Sequence, residues 1–248
     1  MGEFFQLFLL ALLGSVIALV GGIVFLFSKK WSKILETNSV PFAAGVLITV
    51  AIGGLLPEAL EVVGESAFTY VLLSFFGAYL FENVLFNIHH HDGHGHHDHE
   101  SAVPLVIIGD TIHNLIDGVA IAASFFVSPG LGLITALSTF LHEVPHEIGD
   151  FGILLKAGWG KMRIFTVNLI SSSMTIVGAF GLLLFQENTV LIGVLLSISA
   201  GIFLYLGASD FLPHVGGHEK SKKREIVALV VGVIVMLAVF NLVPHGHE

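Results

Sequence analysis

Cysteine is absent from the 248 residues. That excludes disulfides and thiolate metal sites, and with them the ligand that soft ions such as Cu(I) prefer. Charge is scarce too: 12% of residues are charged against 54% hydrophobic, and the mean hydropathy is +0.90. A soluble domain of this length cannot hide so much apolar surface, so the composition points to an integral membrane protein. Only ten residues are Lys or Arg, and the formal charge of −9 comes from carboxylates. No basic patch interleaved with aromatics is present, so nucleic acid is excluded as a partner. The opening residues Met-Gly-Glu-Phe-Phe lack the basic leader of a signal peptide, so the first apolar run is expected to remain as a helix.

A bilayer crossing takes about 20 apolar residues. Eight runs qualify, at 4–27, 40–63, 68–88, 102–127, 131–156, 163–185, 190–212 and 225–243. They leave little chain for anything else, so the expected fold is all-α, a single polytopic membrane domain over 1–248. All ten basic residues fall between runs one and two (Lys29, Lys30, Lys33), five and six (Lys156, Lys161, Arg163), and seven and eight (Lys220, Lys222, Lys223, Arg224). With eight crossings those three segments share one side. The opposite segments carry acids such as Glu61, Glu65 and Glu187. The positive-inside rule then puts both termini on the non-cytoplasmic side of a plasma or cytoplasmic membrane.

Runs two and seven match at a constant offset of 156 residues. Ala44-Gly45 aligns with Ala200-Gly201, Leu56-Pro57-Glu58 with Leu212-Pro213-His214, and Gly54 falls opposite Asp210. The two runs cross in opposite directions, which implies an inverted 3+2+3 repeat with runs four and five inserted between the halves. Inverted repeats recur in secondary transporters, with the substrate site near the midplane, and fit an enzyme poorly.

Runs four and five hold what such a membrane interior should not. Asp110, Asp117, Glu143, Glu147 and Asp150 lie within them. A charged side chain at a helix centre costs roughly 2.5–3.5 kcal/mol on insertion scales. Five uncompensated carboxylates would therefore cost on the order of 15 kcal/mol, more than a typical net stability. Imidazoles are interleaved with them, in His113-Asn114-Leu115-Ile116-Asp117 and His142-Glu143-Val144-Pro145-His146-Glu147. Helical residues four apart share a face, so His113 pairs with Asp117, and His142 with His146. These four can converge on one divalent cation if the helices cross near their middles. Asn114 and Glu143 lie beside them and could take part in holding a second ion. Pro145 cannot donate to the carbonyl of Leu141 and should bend the helix there, and Gly118, Gly149 and Gly152 should allow close helix approach.

Nitrogen and oxygen ligands without sulfur suit Zn(II), with Fe(II), Mn(II), Co(II), Ni(II) and Cd(II) as competitors. Ca(II) and Mg(II) favour oxygen alone. No organic cofactor is implied. A rival reading exists, because residues 142–146 also satisfy H-E-x-x-H, the zinc metalloprotease motif with Glu as general base. An intramembrane protease would take Asp117 as third ligand. It would need no His-Asn pair and no repeat, and a proline inside the motif disturbs the helix that holds both histidines. Elsewhere, residues 89–99 carry seven of the fourteen histidines. The stretch 89–101 reads as a flexible cytoplasmic loop that could buffer or sense metal.

On these residues the chain resembles the ZIP (Zrt-, Irt-like protein) family of divalent metal transporters. The resemblance rests on the eight-run plan, the His-rich loop and His-Asn-x-x-Asp-Gly-x-Ala-Ile at 113–121. It rests equally on His-Glu-x-Pro-His-Glu-x-Gly-Asp-Phe at 142–151 and the two Leu-Pro motifs. It implies movement of Zn(II), in some members Fe(II), Mn(II) or Cd(II), toward the cytosol through a two-metal centre between spans four and five, often in a homodimer. By resemblance the first metal is held by His113, Asp117, His142 and His146, and the second by Asn114, Asp117, Glu143 and His146. Asp210 and His214 resemble exit-path positions, and Glu147 and Glu58 are further candidates along the path. Two departures stand out. Gly54 occupies the place where many relatives carry His before Leu-Pro-Glu, and run six offers Asn168 and Ser171-Ser172-Ser173 but no central carboxylate.

Overall fold

A backbone in hydrocarbon must satisfy its polar groups within itself, which leaves helices for runs of this composition. The computed structural model describes residues 2–27, 29–87, 99–215 and 222–245, and among them there is no strand. The histidine-rich stretch at 89–98, together with His218 and His247, lies outside the described residues.

Helices α1 (Glu3–Gly14) and α2 (Leu19–Phe27) divide the first run. The division follows Gly14-Ser15, where Ser15 turns its hydroxyl back onto the carbonyl of Ala11 at 2.7 Å; a Gly-Ser pair is a common place for a helix to break. Helix α3 (Lys29–Val50) starts well before the expected span at 40, because the polar residues ahead of it are themselves helical. After it come α4 (Leu56–Val63), α5 (Ser66–Asn87), α6 (His99–Val127) and α7 (Pro129–Lys156). The second half holds α8 (Lys161–Ser172), α9 (Met174–Gly181), α10 (Thr189–Tyr205) and α11 (Lys222–Leu242).

Among the described residues, seven stretches are long and apolar enough to cross a membrane: Glu3–Phe25, Thr37–Val63, Ser66–Val84, Val103–Val127, Lys161–Phe185, Thr189–His214 and Lys222–Leu242. The remaining long helix, α7, has 28 residues and carries Glu143, Glu147, Asp150 and Lys156. Its length suffices for a crossing at 1.5 Å per residue; its polar midsection is what sets it apart. Ser128 caps it, accepting from the Leu131 amide at 3.0 Å ahead of Pro129. The helix continues through Pro145.

Runs two and seven share an irregularity. Each passes through a π-helical turn, Ala51–Leu55 and Leu206–Phe211, just before its Leu-Pro. The Leu56 amide bonds to the carbonyl of Ala51, and the Leu212 amide to that of Gly207, 156 residues further on in both cases. Pro57 and Pro213 lack an N–H, so the turn before each loses a bond and can widen.

Glycines set the helix contacts. A Cβ on Gly45 would lie 2.3 Å from the carbonyl oxygen of Leu229, bringing α3 onto α11. At the position 156 residues later, a Cβ on Gly201 would lie 2.4 Å from the carbonyl oxygen of Val71, bringing α10 onto α5. Gly118 and Gly178 join α6 to α9: their Cβ atoms would stand 1.9 Å from Thr175 O and 2.1 Å from Leu115 O. Gly149 and Gly152 do not act as expected, because nothing lies within 4 Å of a Cβ on either. They fall on an open side of α7.

Candidate metal centre

Residues four apart on α6 and adjacent residues on α7 meet where the two helices pack together. His113 Nε2 lies 2.9 Å from Glu143 Oε1 and 3.7 Å from Asp117 Oδ2. His142 Nε2 lies 3.1 Å from Asp117 Oδ2 and 3.9 Å from Glu143 Oε1. One ligand atom from each of His113, Asp117, His142 and Glu143 falls within 4.8 Å of the other three. Asp117, His142 and Glu143 are buried and His113 nearly so.

The electrostatics of this group call for a positive charge. His142 Nδ1 lies 3.0 Å from the carbonyl oxygen of Ser138, an acceptor that fixes that nitrogen as the protonated one in a neutral ring. Nε2 then presents a lone pair to the Asp117 carboxylate, which is repulsive without a proton or cation between them. A backbone carbonyl that orients a histidine so that its other nitrogen points at an ion is a recurring outer-shell arrangement in metal sites. Asp117 Oδ1 and Glu143 Oε2 are buried without a hydrogen-bond partner. Buried polar atoms are rarely left so. Two imidazole nitrogens and two carboxylates offer a four-ligand shell of the kind Zn(II) takes.

Of the residues expected here, the structure brings together His113, Asp117, His142 and Glu143. His146 takes a different place: its ring stacks on His113, with centroids 4.4 Å apart and planes at 15°, and it also faces Phe211. Asn114 is turned aside. Its amide nitrogen donates to Asp110 Oδ1 at 2.8 Å, and its oxygen accepts from the Thr175 hydroxyl at 3.0 Å. Glu147 is 2% exposed, with one oxygen lacking a partner, and Glu58 is 7% exposed. Asp210 lies in the second π turn, and its carbonyl accepts from His214 Nδ1 at 2.7 Å.

In the sequence, Asp110 counts among the carboxylates of runs four and five without a role of its own, and Thr175, Phe203 and Glu82 are passed over. Asp110 and Thr175 hold Asn114, and Phe203 packs edge-on against His142 with centroids 5.4 Å apart. Asp110 had a usable signal, since it lies one helical turn before Asn114; Thr175 and Phe203 are remote in sequence and had none. Near the end of α5, Glu82 accepts a hydrogen bond from Tyr205 of α10, another pairing without a local signature.

Comparison with known proteins bears on this arrangement. The family model described as ZIP Zinc transporter matches residues 99–239, more than half of the chain, and spans α6 through most of α11. The chain is 33% identical over 138 residues to "Zinc transporter foi" of Drosophila melanogaster, covering 54% of this chain and 20% of that protein. It is 34% identical over 149 residues to "Zinc transporter ZIP10" of Danio rerio, covering 55% and 18%. To "Zinc transporter ZIP4" of Homo sapiens it is 37% identical over 109 residues, covering 44% and 17%. The chain thus matches about a fifth of the length of these relatives. The protease reading of H-E-x-x-H has no counterpart among them. The two motif helices, the carboxylate and imidazole atoms gathered between them and the extent of the match lead to one assignment: the chain belongs to the ZIP zinc transporter family.

Proposed function

We propose that this chain carries divalent metal ions, zinc foremost, across a cell membrane and into the cytosol. Fe(II), Mn(II) and Cd(II) are the competing substrates, since they accept the same nitrogen and oxygen donors. The single observation that carries the reading is the buried group of His113, Asp117, His142 and Glu143, four ligand atoms within 4.8 Å of one another between two membrane helices. The ion is the substrate, and these residues replace its hydration shell. His146 and Asn114 are the next ligands within reach, reached by turning the His146 ring off His113 and the Asn114 amide off Thr175; they complete a two-metal centre.

In this reading α7 crosses beside the seven apolar stretches, so one membrane domain crosses eight times with both termini opposite the basic segments. The paired π turns, and Gly45 and Gly201 holding equivalent helix contacts, support an inverted repeat. Transport then consists of the two repeat halves exposing the α6–α7 ligands to one side and then the other. Glu58, Glu147, Asp210 and His214 mark the path, and two copies associate as a homodimer.

Purified protein in liposomes loaded with a metal-sensitive dye tests this. Zn(II), Fe(II), Mn(II) and Cd(II) are supplied in turn, with His142→Ala and Glu143→Gln as controls. Zinc influx in the wild type with at least a tenfold loss in either variant is the expected result. Equal flux in wild type and variants would remove the assigned site.

A further inference from the structure

On the far side of α7 from α6, an open groove of about 580 Å³ runs between α3, α7 and α11. Its walls include Phe42, Leu141, Val144 and Val231, and its mouth carries Lys223 and Arg224, both exposed. Among the described residues no carboxylate or imidazole lines it. From Lys223 to Val231 along α11 is about 12 Å at 1.5 Å per residue, against about 15 Å for one leaflet of a hydrocarbon core about 30 Å thick. The groove therefore reaches from a membrane surface to near the midplane, with cationic groups at the surface end and hydrocarbon below. Glu225, the acid of that turn, is buried and does not line the groove.

We propose that this groove is a binding site for one anionic phospholipid of the leaflet at the basic end. The phosphate meets Lys223 and Arg224, and an acyl chain lies along Phe42, Leu141, Val144 and Val231. Basic pockets between membrane helices hold anionic headgroups through this combination of charge and hydrocarbon contact. An acyl chain restores dispersion contacts that the bare walls lack. Leu141 and Val144 flank His142 and Glu143 on α7, so the lipid braces the helix that carries the metal ligands. The site does not depend on the transport reading, because the groove and its charges stand apart from the ligand group.

Native mass spectrometry of the purified full chain in detergent tests it, titrated with phosphatidylglycerol and with phosphatidylcholine of the same acyl chains. One phosphatidylglycerol is expected to bind at least tenfold more tightly than phosphatidylcholine. K223Q/R224Q should abolish that preference. A228W, at a groove-lining residue, fills the groove and keeps its charges, and should weaken both lipids at least tenfold. All variants should retain zinc binding, since none touches the metal ligands. Equal affinity for the two lipids in the wild type would overturn the proposal, as would A228W binding phosphatidylglycerol like the wild type.

Discussion

The closest helix crossing beside the candidate ligand group makes a sharp prediction at Gly118, the residue after Asp117. A Cβ there would stand 1.9 Å from the Thr175 carbonyl oxygen, 2.7 Å from its carbon and 2.9 Å from the Ala179 nitrogen. All three are backbone atoms, so no side chain can swing away. Bringing the shortest contact out to 3.0 Å requires α6 and α9 to part by roughly 1 Å, and overpacking of this kind costs about 1–3 kcal/mol. Gly149→Ala is the internal control, because a Cβ there meets nothing within 4 Å. Alanine gains about 1 kcal/mol of helix propensity over glycine, and that gain cancels when the two variants are compared. Gly118→Ala should therefore be less stable than Gly149→Ala by about 1–3 kcal/mol in thermal unfolding of the purified protein. It should also bind zinc at least about tenfold more weakly, since functional geometries tolerate displacements of only about 0.5 Å and Asp117 moves with α6. If the two variants unfold at the same temperature and bind zinc alike, the tight α6–α9 crossing is not what places Asp117.

Thr175→Val removes the hydroxyl that donates to Asn114 Oδ1 at 3.0 Å. Leaving a buried acceptor unpaired should lower stability by about 1–3 kcal/mol, read from thermal unfolding without metal; an unchanged midpoint would mean that water replaces the hydroxyl. Tyr205→Phe deletes the hydrogen bond to Glu82 and should cost about 1 kcal/mol of stability while keeping zinc flux, whereas lost flux at normal stability would place the pair on the ion path. Imidazoles must be deprotonated to bind metal. Zinc affinity should therefore fall steadily as pH is lowered from about 7.5 to about 5.5, in a competition titration against a chelating dye. An affinity independent of pH would argue against His113 and His142 as ligands.

Much of this was written along the chain. Hydropathy alone places the protein in a membrane, because apolar runs of this length have no other stable environment. The i, i+4 spacing puts His113 with Asp117 on one helical face. The offset of 156 residues between the two Leu-Pro motifs reappears as paired π turns, since each proline withholds an amide at the same place. These are local or periodic properties, and a linear sequence carries them.

What helical spacing could not decide was which faces meet. The same periodicity that groups His142 with His146 leaves open the rotation of α7 against α6. In the folded chain that rotation turns Glu143 into the ligand group and stacks His146 on His113. Asn114 is held by Thr175, sixty-one residues away, and only packing creates that pair. Gly118 meets the backbone of α9, while Gly149 and Gly152, equally small, meet nothing. A glycine permits close approach, but a partner helix must arrive to use it, and its arrival is set by every contact of the bundle together.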